Sequence, residues 1–412
     1  MERFPGLGRR ALLGGAAGIA AAPLLPRRAG AQGKTLKIGV LTDMSGPYRD
    51  VGGETSVICT RQAIQDFGAQ GFTVEVISAD HQNKPDVGVS IARQWYDRDG
   101  VDLILDVPNS AVALAVSSVA SEKNKVFIDA GAGSTDLTGK QCSPNFIHWA
   151  YDTYMLAKST GGATVKAGGD TWYFITADYA FGQSLQHDTS DFVTKAGGKV
   201  LGASPYPFPA TNDFSSFLVS AQASHAKVLG LANAGSDTTT CIKQAAEFGL
   251  TRQMQIAALL LFLSDVHALG ARTAAGLRLT ESFYWDLNDR TRAFTDRVRP
   301  KTPNNLPNMV HAGCYAATLH YLKAAHDMGV DAIKASGRDA VQRMKAMPAE
   351  DDCFGKYAIR ADGRAMVPAY LFEVKQAAES KGPWDLYKLV ATTPAEEAYR
   401  PLAEGGCKLV RG

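Results

Sequence analysis

The strongest constraint on how this chain folds is its alternation of short apolar runs with amphipathic stretches of helical period. A strand is predicted over 36–44 (LKIGVLTDM), ending in a Ser-Gly-Pro turn, and a helix over 54–67. Strand 72–79, helix 87–97, strand 103–107, helix 111–123 and strand 126–130 continue the series to a glycine-rich turn. The segment 146–150 (FIHWA) starts a second cycle: helix 153–166, strand 171–176, helix 181–195, strand 199–203, helix 214–224, strand 227–232, helix 238–248 and strand 254–260. Unbroken apolar runs between amphipathic helices specify parallel sheets covered on both faces. The expected fold class is therefore α/β, with two doubly wound, Rossmann-like lobes joined by a hinge.

Residues 32–151 are assigned to the first part of lobe 1 and 152–280 to the first part of lobe 2. The mostly helical block 281–346 is expected to return mainly to lobe 1. Residues 347–412 are expected to supply a lobe 2 hairpin, from strands 370–374 and 386–391, and a C-terminal tail.

Residues 1–31 read as an export signal rather than as part of the fold. Arg9 and Arg10 precede the apolar run ALLGGAAGIAAAPLL, and a small-residue site at Ala29-Gly30-Ala31 places cleavage near Ala31. The apolar run is short for a membrane span, and the paired arginines suggest the twin-arginine route. This segment holds five arginines and one glutamate, a net +4 within a chain total of +2, so the remainder is near −2. That balance lacks the basic stripe of a nucleic-acid binder.

No P-loop, G-x-S-x-G elbow or H-E-x-x-H pattern is present, and the eight histidines are scattered. No enzyme activity, cofactor or metal is expected. None of the six cysteines forms a C-x-x-C pair. Cys59, Cys241 and Cys314 fall within helical patterns and read as buried thiols. Cys142 and Cys407 lie in loop-like segments and are the favoured disulfide in an oxidising compartment.

In open α/β sheets, ligands sit beyond the carboxyl ends of the strands. Five segments with binding chemistry fall there. Asn109 and Ser110 close a strand and open a helix, as a cap or as an anion contact at exposed helix amides. Gly131, Ala132 and Gly133 form either an ordinary turn or a backbone nest. Tyr179 and Phe181, in TADYAFGQSL, could cover a planar ligand or simply pack in the core. Asn233 and Asp237 join another strand to its helix. Trp285 belongs to an aromatic cluster, ESFYWDLND, at the return between lobes.

The segments KIGVLTDMSGPY, ARQWYDRDGVDLILDVPNSAVALAV, GAGSTDLTG, ITADYAFG, DFSSFLVSAQ and IKQAAEFGL, in this order and spacing, resemble the branched-chain-amino-acid (Leu/Ile/Val) binding-protein family, the type I periplasmic binding proteins. The resemblance implies a periplasmic solute-binding component of an ABC importer, monomeric, with a membrane permease as partner. It implies a small ligand held by Asn109 and Ser110, by Gly131, Ala132 and Gly133, and by Phe181 with Tyr179 close by. In amino-acid-binding members the first two turns grip the α-carboxylate, and an acidic residue after a second-lobe strand helps to hold the ammonium.

Here that later segment reads IAALLLFLSD, so Leu259, Leu260 and Leu261 stand where the acidic residue is expected, and Asp237 is its substitute. An unpaired buried ammonium is costly. ESFYWDLND and a late Gly-Cys segment resemble a subgroup linked with aromatic acids and other non-amino-acid solutes. The favoured ligand is thus a small, flat carboxylate between Tyr179, Phe181 and Trp285. The alternatives are a branched-chain or other amino acid and, from a different class, a ligand-sensing module for a membrane receptor.

Overall fold

A computed structural model describes residues 34–410; the expected export signal lies outside the described residues. The first lobe is built on strands β1 (Lys34–Thr42), β2 (Phe72–Asp80), β3 (Leu103–Asp106), β4 (Val126–Asp129) and β5 (Phe146–His148), all parallel, in the order β2-β1-β3-β4-β5. The second is built on β6 (Thr171–Ala177), β7 (Lys199–Tyr206), β8 (Val228–Ala232) and β9 (Gln255–Ala258), parallel in the order β7-β6-β8-β9. Every residue of β3 (LILD), β4 (VFID) and β8 (VLGLA) is buried. Strands covered by helices on both faces lose the polar alternation of half-exposed strands.

FIHWA forms β5 and closes the first sheet, with Phe146 paired beside Phe127, which lies within the 32–151 assigned to lobe 1. Two strand placements were not expected. The block after 277 is mostly helical, as expected, but opens with a strand. It contains β10 (Arg278–Glu281), which later pairs antiparallel with β13 (Ala369–Val374), itself paired with β14 (Tyr387–Thr393). A short hairpin, β11 (Ala349–Asp351) and β12 (Gly355–Tyr357), was also not expected. Short strands flanked by helix formers carry too little period to be seen in sequence.

That hairpin packs with the first lobe, where Tyr357 meets Trp149 edge-on, and Arg364 bridges to His148. The chain therefore regains the second lobe at β13 rather than at 347. The long helix Met309–Met328 packs against helix Gly53–Phe67, which returns the late segment to lobe 1. After β14 the tail ends on the first lobe. Tyr399 Oη donates to the Ala150 carbonyl, and Cys407 is disulfide-bonded to Cys142. Cys59, Cys241, Cys314 and Cys353 are buried free thiols. No helix among the described residues is long and apolar enough to cross a membrane.

Candidate functional site: a cavity between facing strand ends

The carboxyl ends of both sheets face one another, and the turns that leave them line a narrow cavity. Lobe 1 contributes Tyr48 and Val51 after β1, Pro108 and Ser110 after β3, Gly131, Ala132 and Gly133 after β4, and Tyr151 after β5. Lobe 2 contributes Tyr179 and Phe181 after β6, Ala234 after β8, and Leu260 and Phe262 after β9.

The loop carrying Tyr48 is organised by Asp43. Its carboxylate accepts from the amides of Gly46 (2.6 Å) and Tyr48 (2.8 Å) and from Asn83 Nδ2 (2.7 Å). Asn83 Oδ1 accepts in turn from Asn109 Nδ2 at 3.1 Å, which ties this loop to the next turn. That turn is strained: Asp106 and Val107 have φ of 76° and 79°. A β-branched residue in the left-handed region costs about 1–3 kcal/mol and survives only where its surroundings over-determine it. Here the strain swings Pro108–Ser110 out of the strand direction and against the cavity. Asn109 Oδ1 then caps helix Ser110–Glu122 by accepting from the amides of Ala111 and Val112.

The glycine-rich turn uses its backbone groups internally. Asp129 Oδ1 accepts from the amides of Gly131 and Ala132, both at 2.8 Å. Ser110 Oγ accepts from those of Gly133 (3.2 Å) and Ser134 (3.1 Å). Tyr151 Oη donates to the Gly131 carbonyl at 2.6 Å, and His148 Nε2 meets the Ala132 carbonyl at 2.7 Å. The turn is thus a rigid wall rather than an open nest of amides. Its small residues serve close approach: a Cβ on Gly133 would stand 2.9 Å from both Phe181 and Tyr151.

The lobes touch around the cavity. Tyr48 Oη and Tyr179 Oη are 2.7 Å apart, and Ser134 Oγ and Ser184 Oγ are also 2.7 Å apart. Thr135 Oγ1 donates to Asp188 Oδ2 at 3.2 Å, and the Ser236 amide donates to the Pro47 carbonyl at 3.3 Å. Gly235, at φ 62°, allows that last contact, because a Cβ there would lie 2.4 Å from the Pro47 oxygen.

Of the residues singled out in sequence, Ser110, Gly131, Ala132, Gly133, Tyr179 and Phe181 share this lining. The other four lie outside it. Asn109 is occupied by the helix cap and by Asn83. Asn233 Oδ1 accepts from Thr238 Oγ1, and its Nδ2 donates to Cys241 Sγ. Asp237 accepts from Tyr206 Oη at 2.7 Å, and burial pushes its carboxyl up to about 6. Trp285 is a correction to the expected aromatic sandwich. Its Nε1 donates to the Trp384 carbonyl at 2.8 Å, its ring is covered by Arg299, and it borders a separate surface groove. Tyr48, Val51, Tyr151 and Phe262 were not anticipated. Their only sequence signal is a position just past a strand.

The chemistry of the lining is one-sided: it carries hydroxyls and amides, and no carboxylate or cationic side chain. Ser110 N–H is the first amide of its helix and has no intrahelical acceptor. Ser110 Oγ already accepts twice, so its proton is left to donate. In the Tyr48–Tyr179 pair one proton bridges the oxygens and the second remains available. Burial raises both phenols above their ordinary pKa, so they stay protonated donors.

A family described as periplasmic binding proteins matches residues 35–382. A periplasmic binding protein of Burkholderia mallei is 47% identical, with a TM-score of 0.87 over 92% of this chain and 100% of that one. A branched-chain amino acid ABC transporter periplasmic ligand-binding protein of Burkholderia xenovorans LB400 is 35% identical, with a TM-score of 0.78 over 91% and 99%. An R. palustris ABC transporter solute-binding protein in complex with benzoate shares the fold at 20% identity, with a TM-score of 0.79 over 91% and 99%. No protein of curated function matches the chain. From the residues matched and the extent of these likenesses, the chain belongs to the type I periplasmic binding proteins, the substrate-binding components of ABC transporters.

Proposed function

We propose that this receptor binds a small aromatic carboxylate in the cavity between its lobes and delivers it to the membrane permease of an importer. The observation that carries the reading is the lining itself. Tyr48, Tyr151, Tyr179, Phe181 and Phe262 supply flat apolar surface. Ser110 and the tyrosine pair supply donors suited to a carboxylate, and Leu260 occupies the wall where an ammonium would need an acid. The R. palustris relatives in complex with benzoate and 4-hydroxybenzoate add an analogy of fold.

The ligand stabilises the closed arrangement through its differential affinity for it. Nothing in this scheme calls for a catalytic residue or a cofactor. The N-terminal signal ending near Ala31 fits delivery to the periplasm, and a monomer suffices to form the cleft. A branched-chain amino acid is the second reading, favoured by the name of the B. xenovorans relative.

The test is calorimetry and thermal shift of residues 32–412 with benzoate, 4-hydroxybenzoate, leucine and valine. A ligand that binds only the native state raises the melting temperature by mass action. Shifts with the benzoates and none with leucine support the proposal; the reverse pattern overturns it in favour of the amino acid.

A further inference from the structure

Phe208 lies in the loop between β7 and helix Ser215–Ala223, flanked by exposed Pro207, Pro209 and Ala210. An aromatic ring at the tip of an exposed loop is expected to remain in solvent unless something covers it. Here it stacks on Tyr179 of its own lobe, with centroids 4.6 Å apart and planes 17° apart. It also stacks on Tyr48 of the opposite lobe, at 5.3 Å and 21°. The hydroxyls of those two tyrosines meet at 2.7 Å. Both tyrosines line the cavity, whereas Phe208 does not. The loop thus places one ring behind two wall residues that belong to different lobes.

We infer that Phe208 is a closure latch, a positioning residue that seats Tyr48 against Tyr179 only when the lobes meet and so sets how long a ligand stays. The reasoning is geometric. Opening the cleft separates Tyr48 from Tyr179 and exposes the Phe208 face that Tyr48 covers, so this stacking contributes to the closed state and not to the open one. An interaction present in only one of two states shifts their populations by its own free energy. Its loss appears in dissociation, because the ring contacts no ligand during encounter. The ring also backs one of the two 2.7 Å hydroxyl contacts between the lobes.

The inference deepens the reading of the cleft as a solute site, and the experiment separates the two. Stopped-flow binding of benzoate is compared for wild type, Phe208→Ala, Phe208→Leu and Phe208→Tyr. The expected result for Phe208→Ala is a dissociation rate about tenfold higher, with an association rate changed less than about twofold. Phe208→Tyr restores wild-type kinetics and Phe208→Leu falls between, an order that a purely structural role for the loop does not produce. Wild-type dissociation in Phe208→Ala overturns the latch and leaves the aromatic-acid reading standing.

If benzoate fails to bind, that reading falls, and leucine becomes the probe for the same kinetic comparison. If neither ligand binds, small-angle scattering of the ligand-free proteins decides. A larger radius of gyration for Phe208→Ala supports the latch, and superimposable profiles overturn it.

Discussion

Tyr48 and Tyr179 approach to 2.7 Å between hydroxyl oxygens from opposite lobes, and this one contact joins the closure of the cleft to the chemistry of its wall. Each tyrosine has one proton and two acceptor sites. Tyr48→Phe or Tyr179→Phe removes the bridge and one of the two protons while keeping the rings, so the remaining hydroxyl loses the partner that orients it. A neutral hydrogen bond is worth about 1 kcal/mol, so each variant is expected to weaken ligand binding about five- to tenfold. The ligand-free melting temperature should move little, and the double variant should lose less than the sum of the two. Additive losses in calorimetry would show that the tyrosines act on the ligand independently.

Asp237 separates the two ligand classes. It sits close enough to Tyr48 and Tyr179 to raise their pKa values electrostatically, yet it accepts from Tyr206 and is absent from the cavity lining. Asp237→Asn keeps the shape and removes the charge. Benzoate affinity is expected to change less than about threefold, because a buried neutral pair replaces a charge-assisted one at a distance from the ligand. An amino acid that relied on Asp237 for its ammonium would instead lose orders of magnitude, since a buried unpaired charge costs several kcal/mol.

The two lobes were legible from the alternation of apolar runs and helical periods because that pattern is repeated over many residues. The lining was legible where a strand end coincided with an unusual residue type, as at Ser110, Gly131, Ala132, Gly133, Tyr179 and Phe181. Tyr48, Tyr151 and Phe262 also follow strands, but a lone aromatic residue is most often core, so nothing local marked them. The residues misplaced were those whose polar groups found partners elsewhere. Asn109 and Asn233 are spent on backbone and neighbouring side chains, and Trp285 on the Trp384 carbonyl. The cap at Asn109 and the Asn233–Thr238 bond are local, and the cap was one of the two readings open in sequence; the Trp285 pairing spans 99 residues, which no local pattern encodes.

Stability should depend on pH through three buried acids. Burial pushes Asp106 up to about 7, Asp265 to about 7 and Glu281 to about 8. A carboxyl with a folded pKa above its unfolded value binds protons more tightly in the native state. Its contribution therefore declines as pH rises between those two values. Buried His81 and His311 are pushed down to about 4 and about 3, which opposes this trend below the ordinary histidine pKa. Above about pH 6.5 only the acids still act, so the melting temperature is expected to fall from pH 6.5 to 8. Asp106→Asn, which cannot ionise, should flatten part of that decline, raising the melting temperature at pH 8 by roughly 2–5 °C relative to wild type. An identical pH profile would show that Asp106 keeps a similar pKa in folded and unfolded chains.

The Cys142–Cys407 disulfide closes a loop of 265 residues and holds the tail from β14 against the first lobe. Arg400 Nη2 reinforces this docking by donating to the Thr135 carbonyl at 3.2 Å, beside the Thr135–Asp188 contact between lobes. Closing so long a loop removes conformational entropy from the unfolded chain, and typical disulfides contribute about 2–4 kcal/mol. Cys142→Ser with Cys407→Ser is expected to lower the melting temperature by roughly 5–10 °C. The remaining cysteines provide an internal check, because Cys59, Cys241, Cys314 and Cys353 are buried. Native wild-type protein should therefore react slowly with a thiol reagent, whereas the denatured, unreduced chain should titrate four thiols. Six thiols in the denatured protein before reduction would mean that the tail is not covalently anchored, and the expected difference in melting temperature would then vanish.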